Sequence, residues 1–141
     1  MFVNHYEHSL DSKHRLVLPA KFRTKLGERV FLAQQDNFLA VYSEEAFQET
    51  IDRLLGQVRE GETDPQARLA IASQTVEIDI DSAGRITIPQ RLREIANLES
   101  DVIVAGAFSH IEIWDRATYE SIKPALASVV REQFKAGGTI N

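Results

Sequence analysis

The sequence predicts a mixed α/β fold, rich in short strands, that is built from two copies of one unit. Residues 10–23 align with residues 80–93, and five of the fourteen aligned pairs are identical. The similarity resumes in two shorter segments, 30–33 with 102–105 and 41–43 with 113–115. A repeat of this length indicates two copies of one supersecondary unit. Two half-sized units in one chain usually pack about a pseudo-two-fold axis, so we expect the repeated motif to be presented twice.

The length and composition predict a single globular unit that holds both repeats. A chain of 141 residues can build one ordinary hydrophobic core. Apolar residues make up 43% and charged residues 26%, which is typical of soluble globular proteins. We predict a first repeat over 5–50, a connecting segment over 56–75, a second repeat over 76–122, and a C-terminal helix and tail over 123–141.

Each repeat is predicted to begin with a strand, a tight turn and a second strand. Residues 75–80 alternate apolar and polar side chains, which favours a half-buried strand, and residues 6–10 occupy the same place in the first repeat. The turns have the pattern Asp-Ser-x-x-Arg, and Asp and Ser side chains initiate turns by accepting backbone hydrogen bonds. Gly84 can adopt positive φ without steric cost, and its counterpart His14 is of a type enriched there. The motif that we expect to form these turns is Asp11, Ser12, Asp81, Ser82 and Gly84.

A short helix and a hairpin are predicted to follow the turn in both repeats. Pro19 and Pro89 end the second strands, 16–18 and 86–88, and proline is favoured as the first residue of a helix. Gly27 is expected to cap the first of these helices. The hairpin strands are predicted at 30–33 with 38–42, and at 102–105 with 110–114.

Each repeat is predicted to close with a longer helix. Ser43 and Asp115 are suitable N-caps for these helices. We expect a loop over 56–61, a short helix over 66–72, and a kink or break of the last helix at Pro124. Residues 137–139 are expected to fray.

The composition excludes some functions and leaves others open. The chain has no cysteine, so disulfides and cysteine chemistry are excluded. The N-terminal residues do not resemble a secretory signal, and no stretch reaches transmembrane length, so we expect a cytoplasmic location without a membrane partner. The net charge of −5 disfavours nucleic acid, but the charge is segregated. Residues 11–29 carry six basic and two acidic residues, whereas residues 43–66 carry seven acidic and two basic residues.

No pattern in the sequence predicts an enzyme, a bound metal or a cofactor. The four histidines are scattered, and none forms a helical His-x-x-x-His pair. Asp11 with Arg15, or Asp81 with Arg85, could act as an acid and an oxyanion clamp. A turn-stabilising ion pair is the simpler interpretation, because no nucleophile or base recurs beside them. We therefore predict no catalytic residue, no cofactor and no small-molecule substrate.

The repeated arginines predict contact with nucleic acid. Arg15 and Arg85 each leave a tight turn, and a basic pair follows on the next helix. The arginine fork suits both phosphate oxygens and guanine edges. A solvated basic face is the competing interpretation, but the repetition of the arginine, the proline and the basic pair favours binding. The predicted DNA-binding residues are Arg15, Arg85, Lys13, His14, Lys21, Arg23, Arg91 and Arg93.

The double Asp-x-x-x-Arg motif, each copy followed by an aliphatic strand and proline, resembles the MraZ family over essentially the whole chain. The resemblance implies two tandem AbrB-like swapped-hairpin modules in a pseudo-two-fold barrel, and assembly into a closed homo-oligomeric ring. It also implies a nucleoid-associated repressor that binds double-stranded DNA at direct repeats in the promoter of its own division and cell-wall operon. Arg15 and Arg85 match the motif in both copies, whereas the residues between Asp and Arg differ, Lys13 and His14 standing opposite Ala83 and Gly84.

Two other functions remain open from the sequence. The same fold could serve as an oligomeric protein-interaction module, antitoxin-like or scaffolding, that does not bind specific DNA. A small hydrolase using the Asp–Arg turns is the second alternative. Binding to the protein's own upstream DNA in the presence of competitor would separate all three.

Overall fold

The computed structural model describes residues 1–135, and the two repeats have the same order of elements. The first contains β1 (His5–Ser9), β2 (Arg15–Val17), α1 (Ala20–Leu26), β3 (Arg29–Gln34), β4 (Leu39–Ser43) and α2 (Glu44–Arg59). A connecting helix, α3 (Ala67–Gln74), precedes the second repeat. That repeat contains β5 (Val76–Asp79), β6 (Arg85–Thr87), α4 (Gln90–Ile95), β7 (Asp101–Gly106), β8 (Ile111–Asp115) and α5 (Arg116–Lys135). The predicted mixed α/β, strand-rich fold with two similar halves is confirmed.

The two repeats exchange their first strands within one antiparallel sheet. The sheet has the order β1-β7-β8-β4-β3-β5, so β1 pairs with β7 of the second repeat and β5 pairs with β3 of the first. Tyr6 lies opposite Val104, and the equivalent residues Val76 and Leu32 lie opposite each other in the same way. The exchange means that neither repeat completes its part of the sheet alone.

A pseudo-two-fold axis runs through two residue pairs. In the separate ribbon formed by β2 and β6, Leu16 lies opposite its own counterpart, Ile86. In the centre of the large sheet, where β4 pairs with β8, Ala40 lies opposite its counterpart Glu112. The registers on either side of each pair are symmetric, which places the ribbon on the axis above the middle of the sheet.

The strands do not close into a barrel among residues 1–135. The large sheet ends at β1 and β5, and the β2–β6 ribbon is a second, two-stranded sheet. The swapped arrangement of the strands is therefore present, whereas the closed barrel that the resemblance implied is not confirmed.

The main core lies between the large sheet and the ribbon with its two short helices. Four side chains in or directly after the ribbon strands are at most 1% exposed: Leu16, Leu18, Ile86 and Ile88. They pack with apolar residues from all six strands of the large sheet. Phe22 of α1 and Leu92 of α4 close this core from the sides. The opposite face of the sheet carries a smaller cluster beneath α2, where the Phe31 and Phe47 rings stack. The apolar side chains of this core therefore hold the ribbon against the large sheet.

Several local predictions need correction. Helix α2 continues through Gly56 to Arg59, where a loop was expected, because a single glycine costs a helix only about 1 kcal/mol. A kink or break was expected at Pro124, and helix α5 continues through this residue without a break. Pro124 has no backbone N–H to donate to the Glu120 carbonyl, and Glu120 is exposed, so water can hydrate this carbonyl.

Pro19 and Pro89 stand at the N-cap rather than at the first helical position. The expected fraying at 137–139 lies outside the described residues.

The predicted N-caps of the two longer helices are confirmed. The Ser43 hydroxyl accepts a hydrogen bond from the Ala46 amide at 3.2 Å, and Asp115 accepts one from the Ala117 amide at 3.2 Å. Asp115 also accepts a bond from the Glu99 amide at 3.0 Å, which ties the start of α5 to the loop before β7. A capping side chain satisfies backbone donors that the first helical turn leaves unpaired.

Candidate nucleic-acid interface

The first Asp-x-x-x-Arg turn is organised by one carboxylate. Oδ1 of Asp11 accepts hydrogen bonds from the backbone amides of Lys13 and Arg15, each at 2.9 Å. Oδ2 accepts a bond from Nε of the Arg15 side chain at 2.7 Å. Backbone bonds from Asp11 N to the Arg15 carbonyl and from His14 N to the Asp11 carbonyl close the turn. The aspartate therefore sets both the backbone of the turn and the direction in which Arg15 leaves it.

The second turn repeats this geometry atom for atom. Asp81 accepts bonds from the amides of Ala83 and Arg85 at 2.9 Å and from Nε of Arg85 at 2.9 Å. His14 and Gly84 take φ values of 61° and 77°, as the equivalent positions of a turn that requires positive φ. Within residues 1–135 the hydroxyls of the predicted turn residues Ser12 and Ser82 make no hydrogen bond. The aspartates alone supply the side-chain acceptors.

The hydrogen bonds keep both aspartates ionised. The Arg15 amide bond, followed by the bond from its side chain, lowers the pKa of Asp11 to about 2, and the equivalent bonds from Arg85 lower the pKa of Asp81. A lowered folded-state pKa stabilises each turn at every pH above the unfolded-state pKa of about 3.9, and that contribution is lost as pH falls through the lowered pKa, which is about 2 for Asp11. At neutral pH each turn therefore presents a fixed carboxylate and a fixed arginine.

The β2–β6 ribbon brings the two predicted key arginines onto one outward face. Arg15 lies opposite Thr87, and Val17 lies opposite Arg85. Directly opposed side chains point to the same side of a sheet, and successive residues of a strand point to opposite sides. Since Leu16 and Ile86 point into the core, the four outer positions form one exposed surface, which we call the ribbon face: Arg15, Val17, Arg85 and Thr87.

The ends of the two guanidinium groups remain available on the ribbon face. The Arg15 and Arg85 side chains are 28% and 30% exposed, and each uses Nε for its own aspartate. Neither makes a further hydrogen bond through its terminal nitrogens to any residue in 1–135. A guanidinium oriented by a carboxylate behind it and open in front is pre-organised to bind an external acceptor pair.

The other predicted basic residues lie in the first turn and on α1 and α4, and they differ in their contacts. Lys13 at the first turn and Lys21 on α1 are exposed and make no side-chain bond to another described residue. Arg91 donates to the side chain and the carbonyl of Gln74 at 2.7 and 3.1 Å, which ties α4 to the end of α3. Lys13 and Lys21 thus match the prediction of free cations more closely than Arg91 does.

Arg23 and Arg93 each reach the turn of the other repeat. Arg93 of α4 donates from Nε to the Ile88 carbonyl at 3.0 Å, and its Nη1 lies 3.0 Å from Nδ1 of His14. Arg23 of α1 lies so close over Gly84 that a Cβ at this position would overlap its guanidinium. Sequence analysis named both arginines as DNA-binding residues, and the structure shows them packed against the turns.

Sequence analysis missed Val17, Thr87 and Gln74. Val17 is 43% exposed between the two arginines, and Thr87 is exposed beside it. The alternation of Arg15, Leu16 and Val17 carried the signal, because a buried Leu16 requires both neighbours to point outwards. Gln74 belongs to the connecting segment, and nothing in the sequence linked it to Arg91.

Residues 1–135 contain neither a cluster of side chains suited to a metal ion nor a helix suited to a membrane. Within residues 1–135, no three His, Asp or Glu side chains group closely enough to hold a metal ion. No helix in that part of the chain is both long and apolar enough to cross a membrane. Both oxygens of the Asp11 carboxylate are occupied by hydrogen bonds of its own turn, which supports the interpretation of the Asp–Arg pair as a turn-stabilising ion pair.

Comparison with known proteins identifies the family of the chain. A family model described as MraZ protein, antitoxin-like, matches twice, over residues 1–70 and 71–136.

Three similar proteins are named transcriptional regulator MraZ. The one from Acetivibrio thermocellus is 40% identical over 124 residues, covering 86% of this chain and 85% of the relative. The one from Caldanaerobacter subterraneus subsp. tengcongensis is 41% identical over 123 residues, covering 85% of each. The one from Mycoplasma mycoides subsp. mycoides is 38% identical over 124 residues, covering 87% of this chain and 93% of the relative. The chain therefore belongs to the MraZ family.

Proposed function

We propose that this chain is a transcriptional regulator that binds specific double-stranded DNA through the ribbon face. The observation that carries this proposal is the pair of arginines on one outward surface, each oriented by its own aspartate and open at its terminal nitrogens. The relatives named transcriptional regulators support the same function. We further propose that the protein represses its own division and cell-wall operon from promoter direct repeats, in the cytoplasm and associated with the nucleoid.

The dimensions and chemistry of the ribbon face suit the major groove of DNA. The groove is about 12 Å wide and admits a two-stranded β-ribbon. Arg15 and Arg85 can each form a bidentate contact with a guanine edge or a phosphate. Val17 and the Thr87 methyl group can contact a thymine methyl. Lys13 and Lys21, which stand beside the ribbon face, would neutralise phosphates and fix the register of binding.

Two alternative functions, a protein-interaction module and a hydrolase, account for these contacts less well. An antitoxin-like or scaffolding module agrees with the family description, but it gives no role to two outward arginines that are each oriented by an aspartate. A hydrolase would need an unoccupied carboxylate, whereas Asp11 already accepts three hydrogen bonds. Neither alternative involves a cofactor that these residues could hold.

A mobility shift with the DNA upstream of the protein's own gene tests the proposed function. The labelled fragment should be shifted in the presence of a large excess of random DNA, and an excess of unlabelled upstream fragment should release it. Release by both competitors equally would mean that binding is non-specific. No shift at any salt concentration would favour the protein-interaction module.

The affinity for the upstream DNA should fall steeply as salt rises. If lysines and arginines neutralise phosphates, log affinity falls with log salt at a slope of about −0.9 per phosphate contact. Several subunits on one DNA add their contacts, so the slope should be steep. Titrations between low and physiological salt measure it, and an affinity that does not respond to salt would rule out the electrostatic part of the proposal.

We also propose that the chain acts as a ring-like homo-oligomer. Helix α5 leaves four large apolar side chains exposed: Leu126 at 42%, Val129 at 55%, Val130 at 51% and Phe134 at 54%. An exposed apolar stripe of this size on a helix is typical of an interaction surface. If the stripe docks on a different surface of the next copy, the contact is head-to-tail, and such contacts form a ring when the rotation closes.

Light scattering should therefore show an assembly larger than a dimer at micromolar concentration. Val129→Asp should reduce its size, because a buried unpaired carboxylate opposes docking of the stripe. Ser128→Asp is the matched control, because residue 128 points to the opposite side of the helix and should leave the size unchanged. A purely monomeric native protein would contradict the prediction.

A further inference from the structure

We propose that Arg93 is a positioning residue that braces the DNA-contacting turn of the opposite repeat, and that Arg23 does the same on the other side of the pseudo-two-fold axis. Arg93 belongs to the second repeat, but the turn it touches belongs to the first. This inference rests on the proposed function of Arg15 and Arg85 as the DNA-contacting groups. It replaces, for Arg23 and Arg93, the direct contact with DNA that the sequence suggested.

Arg93 completes a closed cycle of hydrogen bonds across the axis. The Ile88 amide donates to the His14 carbonyl at 3.0 Å. The Ile88 carbonyl accepts from Nε of Arg93 at 3.0 Å. Nη1 of Arg93 lies 3.0 Å from Nδ1 of His14, and because arginine can only donate, Nδ1 accepts and the ring proton resides on Nε2. Backbone and side chain of His14 are thus both held by the second repeat.

The braced residue controls the direction of Arg15. His14 directly precedes Arg15 and has a φ of 61°. This conformation costs a non-glycine residue energy, and contacts with the surrounding structure must offset that cost. Its amide donates to the Asp11 carbonyl, and Asp11 in turn holds Nε of Arg15. Releasing His14 would therefore loosen the aspartate-centred turn that orients the Arg15 guanidinium.

The second turn uses the same layout with different chemistry. The Leu18 amide donates to the Gly84 carbonyl at 3.0 Å, as the Ile88 amide does to His14. Gly84 has no side chain, so the Arg23 guanidinium lies directly on the turn, in space that a Cβ would fill. Glycine needs no brace to adopt a φ of 77°, so we expect the Arg23 contact to matter less than the Arg93 contact.

Partial burial of the two arginines agrees with a bracing role. Arg23 and Arg93 are both half-buried, whereas Lys21 and Arg91, two residues earlier on the same helices, are exposed. The contacts of Arg93 and Arg23 with the opposite turns account for this burial.

A double-mutant cycle tests which arginine acts through which turn. We expect Arg93→Ala to weaken binding of the upstream DNA about tenfold at low salt. In an Arg15→Ala background, the same change should weaken binding by less than about twofold, because the turn it braces no longer carries the contact. In an Arg85→Ala background, it should keep its full effect, since independent sites are additive. Coupling of Arg93 to Arg85 instead, or equal additivity with both, would overturn the proposal.

Two further measurements separate bracing from charge and from the proposed function itself. Arg93→Lys keeps the charge but cannot make both hydrogen bonds, so it should bind DNA as weakly as Arg93→Ala. Recovery of native affinity by the lysine variant would instead show a phosphate role. Without DNA, hydrogen exchange in Arg93→Ala should accelerate at the amides of His14 and Arg15 but not at those of Gly84 and Arg85. If exchange follows this pattern while Arg15→Ala binds DNA normally, the brace stands and the proposed function fails. Unchanged exchange at His14 and Arg15 overturns the brace.

Discussion

Replacing both Arg15 and Arg85 with alanine is expected to abolish specific DNA binding at physiological salt while leaving the fold and the assembly intact. Each lost bidentate contact should cost roughly 1–3 kcal/mol at every engaged subunit. In the proposed oligomer several subunits hold one DNA at once, so the corresponding fold losses in affinity multiply across the assembly. A mobility shift with the upstream fragment measures the loss, and each single variant should show an intermediate affinity.

The fold should survive because the turns keep their main bonds without the arginine side chains. The backbone amides of residues 13 and 15 would still donate to Asp11, and the equivalent amides would still donate to Asp81. The pair that is lost is partly exposed, and exposed ion pairs contribute about 0–1 kcal/mol. Thermal unfolding followed by circular dichroism should therefore shift little, and light scattering should report the native size.

Arg53→Ala is the matched control for this prediction. Arg53 is exposed on α2, which packs on the face of the sheet opposite the main core and the ribbon, so the variant removes the same charge as each single replacement, from the far side of the protein. Its affinity for the upstream DNA should stay within about twofold of native. If the Arg15 and Arg85 variants bind DNA normally but unfold or dissociate, the arginines are structural and the protein-interaction module becomes the better hypothesis.

The features that the sequence predicted well are local ones. The aspartate, the positive-φ position and the arginine lie within five residues, and their geometry follows from turn chemistry that short sequence patterns express. Pro19 and Gly27 bracket a helix of one or two turns in the same way. The repeat added what no single pattern could, because it showed that the turn, the strand and the helix occur twice in the same order.

The features that the sequence could not predict depend on contacts between the repeats. The exchange of β1 and β5 was expected only from the family resemblance, because the exchanged and the unexchanged arrangements satisfy the same alternation of apolar residues. The bond between Arg93 and His14 joins positions far apart in the chain, and no sequence pattern linked these two predicted DNA-binding residues to each other. The helix at Gly56 shows a third limit, since glycine lowers helix propensity without forbidding a helix that packing supports.

Leu18→Ala is expected to produce the largest loss of stability among the residues next to the ribbon face. Leu18 is fully buried, follows β2 directly and packs in the main core beneath the ribbon. Truncation of a buried leucine to alanine costs about 2–5 kcal/mol, because apolar surface is lost and a cavity remains. Total stabilities of domains lie around 5–15 kcal/mol, so this is a large fraction. Urea unfolding at matched protein concentration measures it, since the midpoint of an oligomer depends on concentration.

Val17→Ala is the control that makes the Leu18 result specific. Val17 is the neighbouring residue, but it is 43% exposed on the ribbon face, so its truncation should cost no more than about 0.5 kcal/mol. The two variants should therefore have opposite effects. Leu18→Ala should lose stability first and lose DNA binding only as the fold is lost. Val17→Ala should keep its stability and bind DNA more weakly. If Leu18→Ala kept native stability but lost DNA binding, the ribbon would not be held by the core beneath it, and the division between the scaffold and the ribbon face would be wrong.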